Sequence, residues 1–175
     1  MKFNKIKTIA ILVATVISGN VFTQINIAEI VATGLTCSMC SNAINKQLYN
    51  LADVDSVSTD LNTNTFVVYL KKGNQLKPRV LKESIEKAGF FIGSLILFVP
   101  TDSLIPDSSN TILLNGSTFI LLNEKPNKND EEIKFKIYDK GYVTLKEYKK
   151  LLKSLNIPSY PLNNEDDYHI KFDIL

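Results

Sequence analysis

Hydrophobic and polar positions fall into blocks whose period switches between that of a strand and that of a helix. Residues 25–33 are rich in Ile, Val and Ala and read as a strand. Gly34 to Cys40 is a loop leading into a helix, in which Cys40, Ala43, Ile44, Gln47, Leu48 and Leu51 form one stripe. Residues 54–61 and 65–71 read as strands joined by Asn62, Thr63 and Asn64, with Phe66, Val68 and Leu70 on one face. Residues 77–88 form a second helix: Pro78 suits its first turn, Val80, Leu81, Ile85 and Ala88 its inner stripe, and Gly89 its end. Residues 90–99 are a strongly apolar last strand. The order is βαββαβ, a ferredoxin-like arrangement of an antiparallel sheet with two helices on one side.

Beyond this unit, residues 100–110 collect Pro, Asp and Ser and read as a linker. Residues 111–122 predict a hairpin about Asn115-Gly116, followed by a polar loop over 123–132 and a strand over 133–138. Thr144 to Glu147 is a capping box opening a helix to about Leu155, with Leu145, Tyr148, Leu151, Leu152 and Leu155 inward. Pro158 to Asp167 is a loop. In the final strand, 168–174, Tyr168, Ile170, Phe172 and Ile174 share a face, and His169, Lys171 and Asp173 share the other. His169 is therefore expected to be a solvated strand residue. Residues 111–175 make a small α+β unit that carries no nucleophile–base pair and no Gly-rich phosphate loop. It could dock a partner, extend the first sheet or add stability.

The start of the chain follows neither period. Lys2, Lys5 and Lys7 precede a ten-residue apolar run, Thr8 to Ile17, which small and polar residues then break. This is the pattern of a secretory signal peptide over residues 1–23. The run is too short to cross a bilayer, which takes about 20 residues. Val21 and Thr23 fit the positions before a cleavage, leaving Gln24 first, and the absence of a following Cys argues against lipid anchoring. The expectation is an exported chain, periplasmic or secreted, with no membrane span after cleavage.

Composition narrows the chemistry. The formal net charge of +2 is outweighed by the three leader lysines, and only Arg79 among the basic residues is an arginine. A polybasic nucleic-acid binder is thereby excluded. Two Cys cannot build a disulfide framework, and two Cys with one His cannot close a structural Zn site of four N or S ligands. Attention falls on Cys37 and Cys40, which a loop and the first turn of a helix would aim at one point.

The segment Gly34-Leu35-Thr36-Cys37-Ser38-Met39-Cys40 resembles the metal-binding loop of heavy-metal-associated (HMA) domains, a family that includes copper chaperones and the periplasmic mercury-binding protein. The resemblance covers about residues 25–99 and includes Lys87-Ala88-Gly89-Phe90, the family's Gly-aromatic position near the loop. The family usually has Met where Leu35 stands, an inward residue for which Leu is a volume-conserving exchange. The resemblance implies an HMA-like domain over 24–99 and metal binding by Cys37 and Cys40, with binding and transfer in place of catalysis. Paired thiolates favour soft ions, Cu(I) first and Hg(II) or another soft ion after it, and a helix amino terminus stabilises the thiolates. A metal-donor or acceptor protein is the partner so implied. Met39 is expected at the surface, and Phe90 either shields the loop or joins Phe91 in the core. The rival reading is an exported thiol-redox or protein-interaction module in which the same CxxC forms a disulfide or cycles as a dithiol.

Overall fold

The computed structural model describes residues 24–35, 38–101, 110–122, 132–154 and 164–172. The leader over 1–23, Cys37, most of the linker and of the 123–132 loop, Leu155 and the last three residues lie outside the described residues. Among the described residues no helix is long and apolar enough to cross a membrane.

The first unit runs β1 (Ile27–Thr33), α1 (Ser38–Tyr49), β2 (Val54–Asp60), β3 (Thr65–Leu70), α2 (Pro78–Lys87) and β4 (Phe91–Pro100). This is the ferredoxin-like order expected, with its strands arranged β2-β3-β1-β4. Pro78 occupies the first turn of α2, where a missing N–H costs nothing. Ala88 is its C-cap, and Gly89 then takes φ +88°, a left-handed conformation that glycine adopts without a Cβ penalty. The stripe of α2 is as read, with Leu81 and Ile85 fully buried. That of α1 is shifted: Ile44 and Leu48 are buried, but Ser41 is buried beside them while Ala43 faces solvent.

The second unit contributes β5 (Thr111–Leu114), β6 (Ser117–Leu121), β7 (Glu132–Ile137), α3 (Leu145–Ser154) and β8 (Asp167–Phe172). It extends the first sheet. β7 pairs antiparallel with β4, so one eight-stranded sheet runs β2-β3-β1-β4-β7-β8-β6-β5. A row of inward residues crosses six of these strands in register, Val57–Val68–Ala28–Leu97–Phe135–Phe172. Phe119 continues the apolar face, stacked on Tyr168 and edge-on to Phe135. Most buried hydrophobic residues of both units form one cluster, from Ile25 to Phe172.

The far end of the sheet returns to α2. Asn115 and Gly116, both at positive φ, turn the β5–β6 hairpin as the Asn-Gly pair predicts. The buried Asn115 Nδ2 donates to Asn74 Oδ1 at 3.1 Å and to the Leu76 carbonyl at 2.9 Å. Asn74 Nδ2 in turn donates to the carbonyls of Ile25 and Lys71. Asp166, just before β8, accepts from Lys77 Nζ at 2.7 Å and Arg79 Nε at 3.3 Å. The hydrogen bond from Lys77, with help from Arg79, holds the Asp166 carboxyl below its ordinary range. A depressed folded-state pKa means that this clamp stabilises the fold above the usual carboxylate range and is lost as pH falls through the lowered value.

In α3, Glu147 N–H donates to Thr144 Oγ1, so one half of the capping box forms, while the Glu147 carboxylate accepts from Lys136 at 2.9 Å. Two inward expectations fail. Tyr148 and Leu151 are buried, but Leu145 is 62% exposed and Leu152 also faces solvent. Only Tyr148 and Leu151 of α3 are buried, so its covered stripe is narrower than the four hydrophobic positions suggest.

Asn115→Ala should lower stability by about 1–2 kcal/mol, because it leaves the Leu76 carbonyl without its Asn115 donor and the Asn74 oxygen with only the Leu76 N–H; equilibrium urea unfolding reads this directly. A fragment of residues 24–101 should still unfold cooperatively, since β1–β4, α1 and α2 carry their own inner face. Its stability should fall by about 3 kcal/mol as Leu97 and Val99 lose cover, and the bare β4 edge should make it self-associate on sedimentation. A fragment without a cooperative transition would show that the two units cannot fold apart.

Candidate metal-binding loop

The candidate site lies where β1 ends, α1 begins and α2 hands over to β4. β1 stops at Thr33, Gly34 and Leu35 follow, and α1 opens at Ser38. Cys40 sits in the first turn of α1 and is half-buried. Cys37 lies outside the described residues. No acidic side chain stands in the first turn of α1, so the positive end of the helix acts on Cys40 without a competing carboxylate. Met39 is 79% exposed, as expected of a residue at the tip. Leu35 is half-buried against the core, the inward position its exchange for Met requires.

The two phenylalanines part company. Phe90 precedes β4, and its N–H donates to the Ile85 carbonyl at 3.1 Å, which fixes it to the end of α2. A Cβ placed on Gly34 would lie 3.8 Å from Phe90 Cδ1, so the ring rests on the first residue of the loop. It is half-buried and packed on the core, and thus serves both as loop cover and as core edge. Phe91 is 67% exposed, which corrects the expectation that it might share the core.

One feature of the base has no signal in the sequence pattern. β1 and β4 slip register between Val31 and Ala32, leaving Gly93 as the extra residue of a bulge. A Cβ there would stand 2.6 Å from Thr33 Cγ2, so only glycine lets β4 approach the end of β1. Thr33 Oγ1 donates across the gap to the Phe91 carbonyl. Thr144, just before α3, lies on the same side: its Cγ2 would stand 3.8 Å from that Cβ, so the second unit borders the bulge at Gly93.

His169 is not solvated. It is fully buried, its backbone N–H donates to Asp139 Oδ2 at 2.6 Å, and its Nδ1 lies 3.0 Å from Asp139 Oδ1. The alternation read from 168–174 fails because β8 is an interior strand between β6 and β7, covered on both faces at this point. Asp173 and Ile174 lie outside the described residues, as do Asp130 and Glu131 of the polar loop. Among the described residues no three His, Cys, Asp or Glu side chains converge as metal ligands.

The fold and the loop define a ferredoxin-like α+β domain that carries its chemistry where a strand meets a helix. Residues 30–91 match the model of the heavy-metal-associated domain, and the chain belongs to that family through this segment. The solved yeast copper transporter domain Ccc2a is similar at 35% identity, over 37% of this chain and 88% of that one, with a TM-score of 0.34. The amino-terminal domain of a potential copper-translocating P-type ATPase from Bacillus subtilis, solved in its Cu(I)-loaded state, is similar at 27% identity over 38% and 82%, also with a TM-score of 0.34. The amino-terminal soluble domains of Bacillus subtilis CopA align over 87% of this chain and 96% of that one, at 16% identity and a TM-score of 0.37. No curated protein matches the chain.

Phe90→Ala should raise the rate at which iodoacetamide alkylates the cysteines of the reduced protein, several-fold by removal of the ring from Gly34, and cost about 2 kcal/mol of stability. Phe90→Leu should restore most of the stability. Alkylation rates unchanged in Phe90→Ala would leave Phe90 a core residue only.

Proposed function

We propose that this protein is an exported carrier or scavenger of soft metal ions, with Cu(I) as cargo, held by Cys37 and Cys40. The observation that carries the reading is Cys40 in the first turn of α1, at the end of a loop opened by Gly34 and covered by Phe90, inside the family-matched segment. Two thiolates give a low coordination number, which suits Cu(I) or Hg(II). A low-coordinate ion at the end of a sheet leaves room for the thiolate of a donor or acceptor protein to attack, so the cargo can pass on without being released to water. The reading assigns no catalysis to the chain, because transfer needs only exchange of thiolate ligands.

Copper domains of yeast and Bacillus subtilis are among the similar structures, and one of these is a complex of Atx1, Cu(I) and Ccc2a. They support copper as the cargo and a second metal-binding protein as the partner. The leader pattern over residues 1–23 supports export.

Export sets a redox condition. Disulfides persist in oxidising compartments, and a bridge between residues three apart closes a short loop that excludes metal. The metal-competent form is the dithiolate, and bound metal should protect it. Reduced protein titrated anaerobically against a Cu(I) chelator should take up one Cu(I), and Cys37→Ser or Cys40→Ser should weaken uptake by more than about a hundredfold. Unchanged uptake in the double serine variant rules the reading out. Alkylation of protein taken from its native compartment, with and without copper, separates carriage from dithiol cycling: copper should increase the protected, recoverable thiols. A bridge that resists mild reductant would favour a structural disulfide.

A further inference from the structure

The exposed side of α3 carries a pattern that neither the fold nor the cysteine loop uses. The helix buries Tyr148 and Leu151. Lys146, Lys149, Lys150 and Lys153 recur at the i, i+3, i+4, i+7 spacing of one helical face, opposite those two residues, and all four are exposed. None of them has an ion pair among the described residues. The one acid of the helix, Glu147, is taken by Lys136 at 2.9 Å. No Asp or Glu then follows in the sequence until Glu165. In a chain with 20 basic and 18 acidic residues, this row is a local excess of positive charge and does not follow from net charge.

The leucines that failed to turn inward belong to the same side. Leu145 is 62% exposed and Leu152 42%. At 3.6 residues per turn the two point within about 20° of each other, two turns apart along the axis, and Lys149 stands next to them. A single exposed leucine is ordinary. Two aligned along the axis, with a row of lysines as their flank, make an apolar seam bordered by positive charge. A purely solvated face has no use for the leucines, and an acidic partner without apolar depth would leave them in water. A flat surface that offers negative charge outside and apolar material a few ångströms deeper meets both features, and a bilayer with anionic headgroups is such a surface.

We infer that α3 docks the protein on the surface of an anionic lipid bilayer, lying flat, with Lys146, Lys149, Lys150 and Lys153 among the headgroups and Leu145 and Leu152 at the acyl boundary. The long lysine stems let the ammonium groups stay in water while their methylenes lie along the apolar surface. Tyr148 and Leu151 keep the helix fixed to the sheet, so its face is already formed and pays no folding cost on docking. Four lysines and two leucines give reversible binding that salt can break, not an anchor. The inference is independent of the metal reading, since none of these residues belongs to the cysteine loop.

The test uses the metal-free, reduced chain from Gln24 onward, the form that export would leave, because the basic and apolar leader would itself meet lipid. The probes are vesicles of phosphatidylglycerol and phosphatidylcholine in equal parts, with pure phosphatidylcholine as the uncharged control, read by co-sedimentation. The chain should bind the anionic vesicles at about 0.01 M salt, release them at about 1 M, where the screening length falls to about 3 Å, and ignore the uncharged ones. Lys149→Gln with Lys150→Gln should weaken binding by about twentyfold. Leu145→Ser with Leu152→Ser should weaken it by about fivefold at unchanged charge. Lys46→Gln with Lys72→Gln removes the same charge from exposed positions outside α3 and should bind as the parent does. All these positions are exposed, so each variant should keep the parent's melting temperature. The inference is overturned if the anionic vesicles are not bound, if the Lys46 and Lys72 pair matters as much as the Lys149 and Lys150 pair, or if the leucine variant binds as tightly as the parent. Poly-L-glutamate is run beside the vesicles: its capture by a chain that ignores them would assign the face to an acidic protein and overturn the inference as well.

Discussion

The antiparallel pairing of β4 with β7 is the constraint on which the rest of the structure depends. A ferredoxin-like unit normally ends its sheet at β4, and that edge is a row of unsatisfied N–H and C=O groups. Here β4 is ten residues long and bonded on both sides, to β1 and to β7. The register matters as much as the pairing. Leu97 opposite Phe135 and Val99 opposite Ile133 put apolar side chains on the same face, so the core of the first unit runs into the second without a polar break. A slip of one residue would turn Lys134 and Lys136 into that core.

A continuous sheet with one apolar face must find cover for all of it. α1 and α2 cover the first four strands, α1 packing on β2 and α2 and α2 packing on β4. The far strands are brought back toward α2 as well: Asn115 reaches Asn74 and Leu76, Asp166 reaches Lys77 and Arg79, and Gly141 lies close to Lys82. The first turns of α2 are thus gripped by the second unit, while its last turn presents Phe90 to Gly34. The second unit is bound to the same helix whose end covers the cysteine loop. That is a physical reason for a metal-binding domain to carry an added half: it restrains the helix that sets the cover of the loop.

The legibility of these features follows the range of the interactions that make them. Pro78, Gly89, the Asn115-Gly116 turn and the Thr144 cap act within a few residues, and each was readable from its neighbours. So were the apolar rows of β1, β3 and β4, because a sheet face repeats every second residue. Gly34 to Cys40 is likewise a contiguous motif, and its described members Gly34, Leu35 and Cys40 stand where β1 gives way to α1. What was not readable depended on contacts between distant segments. His169 looks solvated in its own strand, and only Asp139, 30 residues away in sequence, and the strands on either side make it buried. Leu145 and Leu152 look inward on a helical wheel, yet whether an inward face has anything to meet is decided by the sheet. Gly93 was one glycine in an apolar strand, and its reason is Thr33, sixty residues earlier in the chain.

The same distinction bears on how the cysteine loop is held. A site that hands its cargo to a partner must be open at the metal and firm beneath it, since a loop free to rearrange would lose the two-thiolate geometry that selects a soft ion. The openness is local: Met39 stands in solvent, and α1 begins without a capping acid. The firmness is built from a distance. Leu35 is packed on the core, Phe90 rests on Gly34 and is fixed by its N–H to Ile85, and the Gly93 bulge draws β4 against Thr33 at the point where Thr144 of the second unit also arrives. Every group that would contact a metal belongs to the contiguous motif, and nearly every group that holds the motif in place does not. A change in the second unit that left Cys37 and Cys40 untouched could therefore alter the site through Thr144 and α2, by shifting the surface against which the loop is set.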